Sequence, residues 1–409
     1  MKNEIPRWME SVVGESLAVR RIVYLAGARQ CGKTTLARRL PLPGAERKAL
    51  DEDLVLESAK ADPSGFVVRT SSGPMIVDEV QKAKDLLPAI KLAVDADRAP
   101  GQYLLTGSSD LRFAVAVRDS LAGRMKTIRL RTLAEAELRR RPPTFLDTAF
   151  RGEFPQPSAK AGKADLVRAA FRGGYPEPMD FPDRQRRDWY RGYVDDLLLK
   201  DVRDVTEIRR LDALRRVADF LAAHTGKFFS EDELGTVCGL SRPVAQNYLG
   251  AIEALYLFER VPAWTKTDYA KAGKRPKWYA SDPGLAPNLL GWREAEARDD
   301  PDRSGKLLET WVHHELAVRA DLGGWTLHHY RDAEKREIDF LVEDGEGALL
   351  GVEVKAGAVV RADDFRHLSW FRDRLAPGPF TGIVLHTGAS AARFGDGLFA
   401  VPMAALFEG

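Results

Sequence analysis

The sequence predicts an α/β protein of three successive units, and three features predict it. Residues 1 to about 150 alternate short apolar runs with helical stretches, the rhythm of a parallel sheet covered by helices. Residues 230–261 change to two short helices around a glycine-containing turn. Beyond residue 304 an amphipathic helix precedes two strands with alternating side chains.

In the first unit the strand candidates are residues 22–26, 75–77, 103–106 and 127–130. The first runs into Gly27-Ala28-Arg29-Gln30-Cys31-Gly32-Lys33-Thr34, which fits G-x-x-x-x-G-K-[ST] at every fixed position and opens onto a helix. Glycines at 27 and 32 let backbone N–H groups wrap the phosphates of a nucleotide, and the helix start adds partial positive charge. Lys33 would reach the terminal phosphates and Thr34 would hold Mg²⁺. Pro74-Met75-Ile76-Val77-Asp78-Glu79 is an apolar strand ending in two acids. Asp78 would hold Mg²⁺ through water, and Glu79 would orient the attacking water. Tyr103-Leu104-Leu105-Thr106-Gly107-Ser108-Ser109 is a further strand ending in hydroxyls, of which Ser108, or less readily Thr106, would sense the terminal phosphate. Gly27, Gly32, Lys33, Thr34, Thr35 and Ser108 are the candidate nucleotide contacts, with ATP and Mg²⁺ as expected cofactors.

Residues 154–163, with two prolines followed by small and polar residues, read as a linker. Residues 164–225 read as helical, interrupted at Arg172-Gly173-Gly174-Tyr175-Pro176. Ser230 and Glu233 form a capping-box pattern, Gly239-Leu240-Ser241 supplies a turn, and Ser241 would cap a second helix. Residues 258–264 and 277–280 would form a two-stranded wing. On the second helix Arg242, Gln246 and Asn247 lie where a DNA reader places polar contacts. Lys266, Lys271, Lys274, Arg275 and Lys277 would suit phosphates. The same elements would equally serve packing or protein contact.

In the last unit Arg336-Glu337-Ile338-Asp339-Phe340-Leu341-Val342 reads as a strand, with Asp339 on the face opposite Ile338 and Phe340. Gly351-Val352-Glu353-Val354-Lys355 is a second strand that puts Glu353 and Lys355 on one face. Glu309 sits on the preceding helix, with Glu315 as the alternative acid. Helix acid, strand Asp and Glu-x-Lys is the arrangement of metal-dependent phosphodiesterases of the PD-(D/E)XK type. Asp339 and Glu353 would hold Mg²⁺, and the metal would acidify a water for attack on phosphate. Lys355 would position that water or steady developing charge, with Glu309 assisting at the metal. His313, His314, His328 and His329 form adjacent pairs that point in different directions, which argues against zinc.

Composition narrows the setting. With 44% hydrophobic and 30% charged residues the chain can build ordinary cores. A net charge of +2 argues against a uniformly basic nucleic-acid coat but allows local patches. Cys31 and Cys238 make no disulfide framework, so a reducing cytoplasm is expected. The first residues lack the apolar core of a signal peptide, and nothing approaches the ~20 apolar residues of a membrane span. No membrane partner is expected.

On residues 27–35, Val77-Asp78-Glu79, Leu105-Thr106-Gly107-Ser108-Ser109, Leu121-Ala122-Gly123-Arg124 and Phe171-Arg172-Gly173-Gly174-Tyr175-Pro176, with the acids around Asp339 and Glu353, the chain resembles a large prokaryotic family of AAA-type ATP-binding proteins. Their C-terminal half is a domain of unknown function ending in a PD-(D/E)XK nuclease-like module. With the readings above, the resemblance gives an AAA-type P-loop ATPase domain over 1–153, a helical and winged-helix domain over 164–290, and a nuclease-like α/β domain over 304–409. It also implies that Arg124 reaches the nucleotide of a neighbouring subunit in a homo-oligomer, where it would stabilise developing charge. The module is similar to those of archaeal junction-cleaving enzymes, which points to branched DNA by analogy of fold. The expected function is thus an ATPase acting on DNA. The alternative is a signalling or regulatory ATPase whose two C-terminal domains bind protein partners.

Overall fold

The computed structural model describes residues 5–108, 121–156, 161–201, 210–267 and 274–407. Ser109 and Ser120, Lys271 and part of the expected linker (157–160) lie outside the described residues. The first sheet comprises β1 (Ile22–Ala26), β2 (Glu46–Ala49), β3 (Met75–Asp78), β4 (Tyr103–Gly107) and β5 (Met125–Arg129). All pairings are parallel, in the order β2-β3-β4-β1-β5. Every residue of β1 and β4 is buried, because helices cover both faces of the central strands and leave no polar side to alternate with. β2, Glu46-Arg47-Lys48-Ala49, is a polar edge strand and carries no apolar run to betray it. β5 ends at Arg129, one residue short of its expected end.

The middle of the chain folds as helices Lys163–Arg172, Asp183–Asp196, Leu211–Ala223, Glu231–Cys238 and Arg242–Ala254. An antiparallel ribbon follows, β6 (Phe258–Val261) with β7 (Lys277–Ala280). Ser230 Oγ accepts from the Glu233 N–H at 3.0 Å and starts its helix. Gly239, at φ 67°, ends that helix in the left-handed conformation. Ser241 holds the cap position of the next helix but makes no side-chain capping bond.

The last unit is the 23-residue helix Pro301–Gly323 packed on a six-stranded mixed sheet. Its strands are β8 (Thr326–Arg331), β9 (Glu337–Glu343), β10 (Leu349–Lys355), β11 (Phe380–His386), β12 (Ala392–Gly395) and β13 (Leu398–Pro402). Their order is β12-β13-β11-β10-β9-β8. The residues after β6 dock on its edge: Trp264 N–H donates to His329 O at 2.7 Å and His329 N–H to Pro262 O at 3.0 Å. Among the described residues no helix is long and apolar enough to cross a membrane.

The hydrophobic cores cut across the expected domain boundaries. One runs from Met9, Leu25 and Leu36 through Tyr190 and Leu214 to Leu285. A second joins Phe145, Leu166 and Phe171 to Trp311, Phe340, Val352 and Leu406. The start of the expected linker is itself docked: the Phe154 ring lies 4.9 Å from that of Phe399, and the Gln156 amide exchanges bonds of 2.8 and 2.9 Å with Ala391.

The interruption at Gly173-Gly174-Tyr175 is built around one buried carboxylate. Asp282, two residues beyond β7, accepts from the Gly174 N–H (2.8 Å), the Gly284 N–H (2.9 Å) and the Tyr190 hydroxyl (2.7 Å). Burial pushes its carboxyl above the usual carboxylate range despite these bonds. Gly173 has φ 76°, and a Cβ there would stand 2.2 Å from Tyr190 Oη and 2.4 Å from Asp282 Oδ1. A Cβ on Gly174 would meet Leu133 O at 2.2 Å. The paired glycines therefore let the carboxylate, the tyrosine and the segment after β5 close on one another. Asp282→Ala strands several buried donors, and a loss of about 3 kcal/mol or more is expected. Urea unfolding checks this, with Glu343→Ala at the rim of the last sheet as the near-neutral comparison.

Candidate functional site

The parallel order inserts β4 between β1 and β3, so three strand ends meet at one edge of the sheet. In open α/β sheets this carboxyl edge is where ligands bind. The loop after β1 is shaped by its glycines: at Gly27 (φ 157°) a Cβ would stand 2.3 Å from Leu130 O, and Gly32 (φ 103°) precedes the helix Lys33–Arg39. The Lys33 ammonium lies over the loop, donating to Gly27 O (3.1 Å) and Ala28 O (2.8 Å). Thr34 Oγ1 donates to Asp78 Oδ1 at 3.1 Å, while Thr35 is exposed on the helix. A cavity of about 200 Å³ beside them is lined by Thr34, Arg38, Arg47, Lys48, Glu52 and Asp78.

Thr106, at the end of β4, donates to Asp78 Oδ1 and accepts from the Glu79 N–H at 3.3 Å. Glu79 has φ 58°, a left-handed conformation rare for a non-glycine residue and common at functional sites. Its carboxylate accepts from Ser108 Oγ at 3.3 Å and from the Gln81 amide, which also donates to Ser108 Oγ at 3.0 Å. Gln81 was not singled out from the sequence; its place two residues after the acid pair was the available signal.

Two further braces on the loop were not legible. Arg7 donates to Cys31 O (2.9 Å), Arg131 O (2.7 Å) and buried Glu137 (3.1 Å). Tyr193 donates to Arg29 O at 3.0 Å and accepts from the Tyr175 hydroxyl at 3.1 Å. The structure places Arg124 apart from this group. Its guanidinium pairs with Asp95 of the same chain through bonds of 2.6 and 2.8 Å, which hold that carboxyl below its usual range.

In the last unit the structure brings Glu309, Asp339, Glu353 and Lys355 together. It also inserts a residue the sequence reading placed elsewhere. Lys277, read as a solvent-facing wing cation for DNA phosphates, is 2% exposed. Its ammonium lies 3.0 Å from Glu309 Oε1, 2.6 Å from Glu337 Oε1 and 3.3 Å from Asp339 Oδ1. The register of β7 against β6 turns this side chain inward, which lysine's usual exposure does not foretell. Burial alone would lower the ammonium's pKa, but Glu309 and the other acids hold it well above its ordinary value. Burial raises Glu309 and Glu353 above the ordinary glutamate range, in both with help from the Asp339 carboxylate. The second Asp339 oxygen accepts from the Val354 N–H at 2.9 Å, and Lys355 pairs with Glu353 at 2.9 Å. Glu315 takes no part: it is buried against Arg319 (2.7 Å) and the Glu135 N–H (2.7 Å). The histidines are dispersed, His314 on Thr132 Oγ1 (2.9 Å) and His329 on Arg275 O (3.0 Å). Among the described residues no three His, Cys, Asp or Glu side chains form a group able to hold a metal ion.

On the helix Arg242–Ala254 two of the three expected DNA readers are engaged internally, while Asn247 is exposed. Arg242 and Gln246 both donate to Glu231, at 2.9 and 2.7 Å. Between this helix and β7 lies a groove of about 590 Å³. Its charges are mixed, Arg242, Arg260, Lys274 and Arg275 facing Glu231, Asp232 and Glu253.

Comparison with known proteins places names on the three segments. Residues 19–139 match the AAA domain model, 163–296 the domain of unknown function DUF8612, and 304–406 the domain of unknown function DUF4143. The uncharacterized proteins Rv2008c of Mycobacterium tuberculosis and Mb2031c of Mycobacterium bovis are each 28% identical over 341 residues, 82% of this chain and 70% of theirs. Among solved structures, the Walker-type ATPase PABY2304 of Pyrococcus abyssi covers 71% of this chain and 97% of its own at 14% identity and TM-score 0.40. Drosophila ORC bound to DNA covers 70% of this chain and 94% of its own at 14% identity and TM-score 0.26. The domain match and the strand-end geometry agree: residues 19–139, which match an AAA domain, hold the parallel sheet whose strand ends carry the phosphate-loop motif.

The loop geometry yields a test. Gly27→Ala forces its Cβ against Leu130 O, and we expect about 1–3 kcal/mol of destabilisation and roughly tenfold or greater weakening of ATP binding. Gly14→Ala, where the added Cβ meets nothing within 4 Å, is the control in the same titration.

Proposed function

We propose that this protein binds and hydrolyses ATP with Mg²⁺ at the edge formed by β1, β3 and β4. The observation that carries the reading is the convergence there of the phosphate loop, Thr34, Asp78, Glu79 and Ser108. Thr34 and Asp78, 3.1 Å apart, are hard-oxygen donors that suit Mg²⁺. The ion, when bound, would neutralise phosphate charge and help orient the terminal phosphate. Gly27 and Gly32 shape the loop around the phosphates, Lys33 pairs with their terminal oxygens, and Thr35 continues the contact at the helix start. Glu79, fixed by Thr106 and aimed at Ser108 and Gln81, orients the attacking water and takes up its proton. Ser108 reports the terminal phosphate to that carboxylate. Arg124 serves a neighbouring subunit's nucleotide after leaving Asp95, an exchange that an exposed ion pair opposes only weakly.

The helices 211–254 and the β6–β7 ribbon have the order of a winged helix, and we read the last unit as a nuclease-like fold. The three segments are then an ATPase domain (1–153), a winged-helix domain (164–290) and a nuclease-like domain (304–409). The expected action on DNA now rests on Asn247, Lys266, Lys274 and Arg275, since Arg242 and Gln246 are bound to Glu231 and Lys277 is buried. The mixed-charge groove favours the second reading, a regulatory ATPase that grips a protein partner through the same ribbon.

ATP hydrolysis tests the first claim. Lys33→Ala should lose binding and turnover, whereas Glu79→Gln should keep ATP binding and lose about 10²- to 10⁴-fold in turnover. Equal turnover in wild type and Glu79→Gln sinks the assignment. For the second, Lys274→Glu with Arg275→Glu should weaken fluorescence-measured binding to duplex and four-way-junction DNA if DNA is the target. Unchanged DNA affinity hands the ribbon to a protein partner.

A further inference from the structure

The acids read as a metal site fail a test of fit. A divalent cation held by Asp339 needs carboxylate oxygens at about 2.0–2.6 Å on a site free of other cations. The Lys277 ammonium lies within 3.3 Å of Asp339, Glu309 and Glu337 at once, and an ammonium has three N–H donors to match three acceptors. The Tyr279 hydroxyl caps Glu309 at 2.7 Å, and the remaining Asp339 oxygen is held by the Val354 N–H. Glu353 faces Lys355. Every first partner a metal would displace is a fixed group of this chain, and two of them are already cations.

We propose that Lys277 is a built-in cation that replaces the divalent metal of this carboxylate cluster, so that the cluster clasps β7 to the C-terminal sheet and does not cleave phosphodiesters. Glu309 comes from the helix Pro301–Gly323, Glu337 and Asp339 from β9, and the lysine from β7. One ammonium thereby joins three elements, as a structural metal does elsewhere. The cluster retains enough carboxylate to accept a metal once the ammonium is gone. Removing the ammonium is therefore expected to let the freed acids close on a divalent ion, a site that the wild-type arrangement does not form.

Titration of the full-length, nucleotide-free protein with Mn²⁺, read by calorimetry and by thermal unfolding, tests this. The wild type and Asp339→Asn should bind the same number of ions, because Asp339 is not a ligand while Lys277 is present. Lys277→Met should unfold several degrees lower without metal, bind one more Mn²⁺ than the wild type, and recover its stability on binding. Adding Asp339→Asn to Lys277→Met should abolish that extra ion and the recovery. A wild-type Mn²⁺ site lost in Asp339→Asn overturns the proposal, as does metal-dependent cleavage of duplex or junction DNA by the wild type that Asp339→Asn removes. Should Lys277→Met not fold even with Mn²⁺, the wild-type and Asp339→Asn comparison still decides. ATP turnover reports the other site, so failure of either reading leaves the other standing.

Discussion

A charge taken out of water must find its counter-charges inside the protein, and two buried ionisable groups at the ends of one short strand impose that demand on this chain. The desolvation penalty is several kcal/mol per ion, returned only when geometry and hydrogen bonds are both good. Lys277 opens β7 and Asp282 follows it closely. The lysine requires acids from the long C-terminal helix and from β9; the aspartate requires N–H and O–H donors from the Gly173-Gly174 corner and Tyr190. The lysine's demand cannot be met within the middle segment, whereas the aspartate's draws distant parts of that segment together. The strand is thus pinned between its neighbours by electrostatics before any apolar contact is counted.

That pinning gives the nucleotide edge a physical connection to the rest of the molecule. The loop carbonyl of Arg29 is held by Tyr193, Tyr193 by Tyr175, and Tyr175 follows the glycine pair whose N–H reaches Asp282. The aromatic rings pack as well as bond: Trp189 stacks on Tyr193 at 5.0 Å and Tyr175 lies edge-on to Tyr190 at 5.8 Å. On the opposite side of the loop, Arg7 ties Cys31 to Glu137 and the segment after β5. The phosphate loop is therefore positioned from the middle helices and from the N-terminal segment, and not by its own sheet alone.

What could be read from the sequence follows the range of the interaction responsible. The phosphate loop, Asp78-Glu79 and the end of β4 are local patterns on strands with no polar face, and β1, β3 and β4 fall where the apolar runs put them. β2 was invisible because an edge strand needs no apolar run. The strand positions of Asp339 and Glu353 were legible from a period of two, and Glu309 from its helix. Lys277 was misread because its partners lie 32 and 62 residues away, and a lysine in Lys277-Trp278-Tyr279-Ala280 resembles a ribbon end in water. Asp282 carried no local signal at all. The Gly-Gly-Tyr-Pro interruption was noticed, yet its reason is a carboxylate 108 residues downstream of Gly174.

The same distinction bears on Glu79. Its left-handed backbone costs about 1–3 kcal/mol for a non-glycine residue, and local sequence would not select it. It persists because Thr106 accepts its N–H and because Ser108 and Gln81 hold its carboxylate. Both hydroxyls arrive at the end of β4, Thr106 within it and Ser108 just after it, on the strand inserted between the loop strand and the acid strand. Were β3 adjacent to β1, those hydroxyl partners would be absent and the acid would relax to an ordinary extended strand end. The strand order is therefore what fixes the aim of the carboxylate, and the aim decides whether an acid beside a phosphate loop can direct a water.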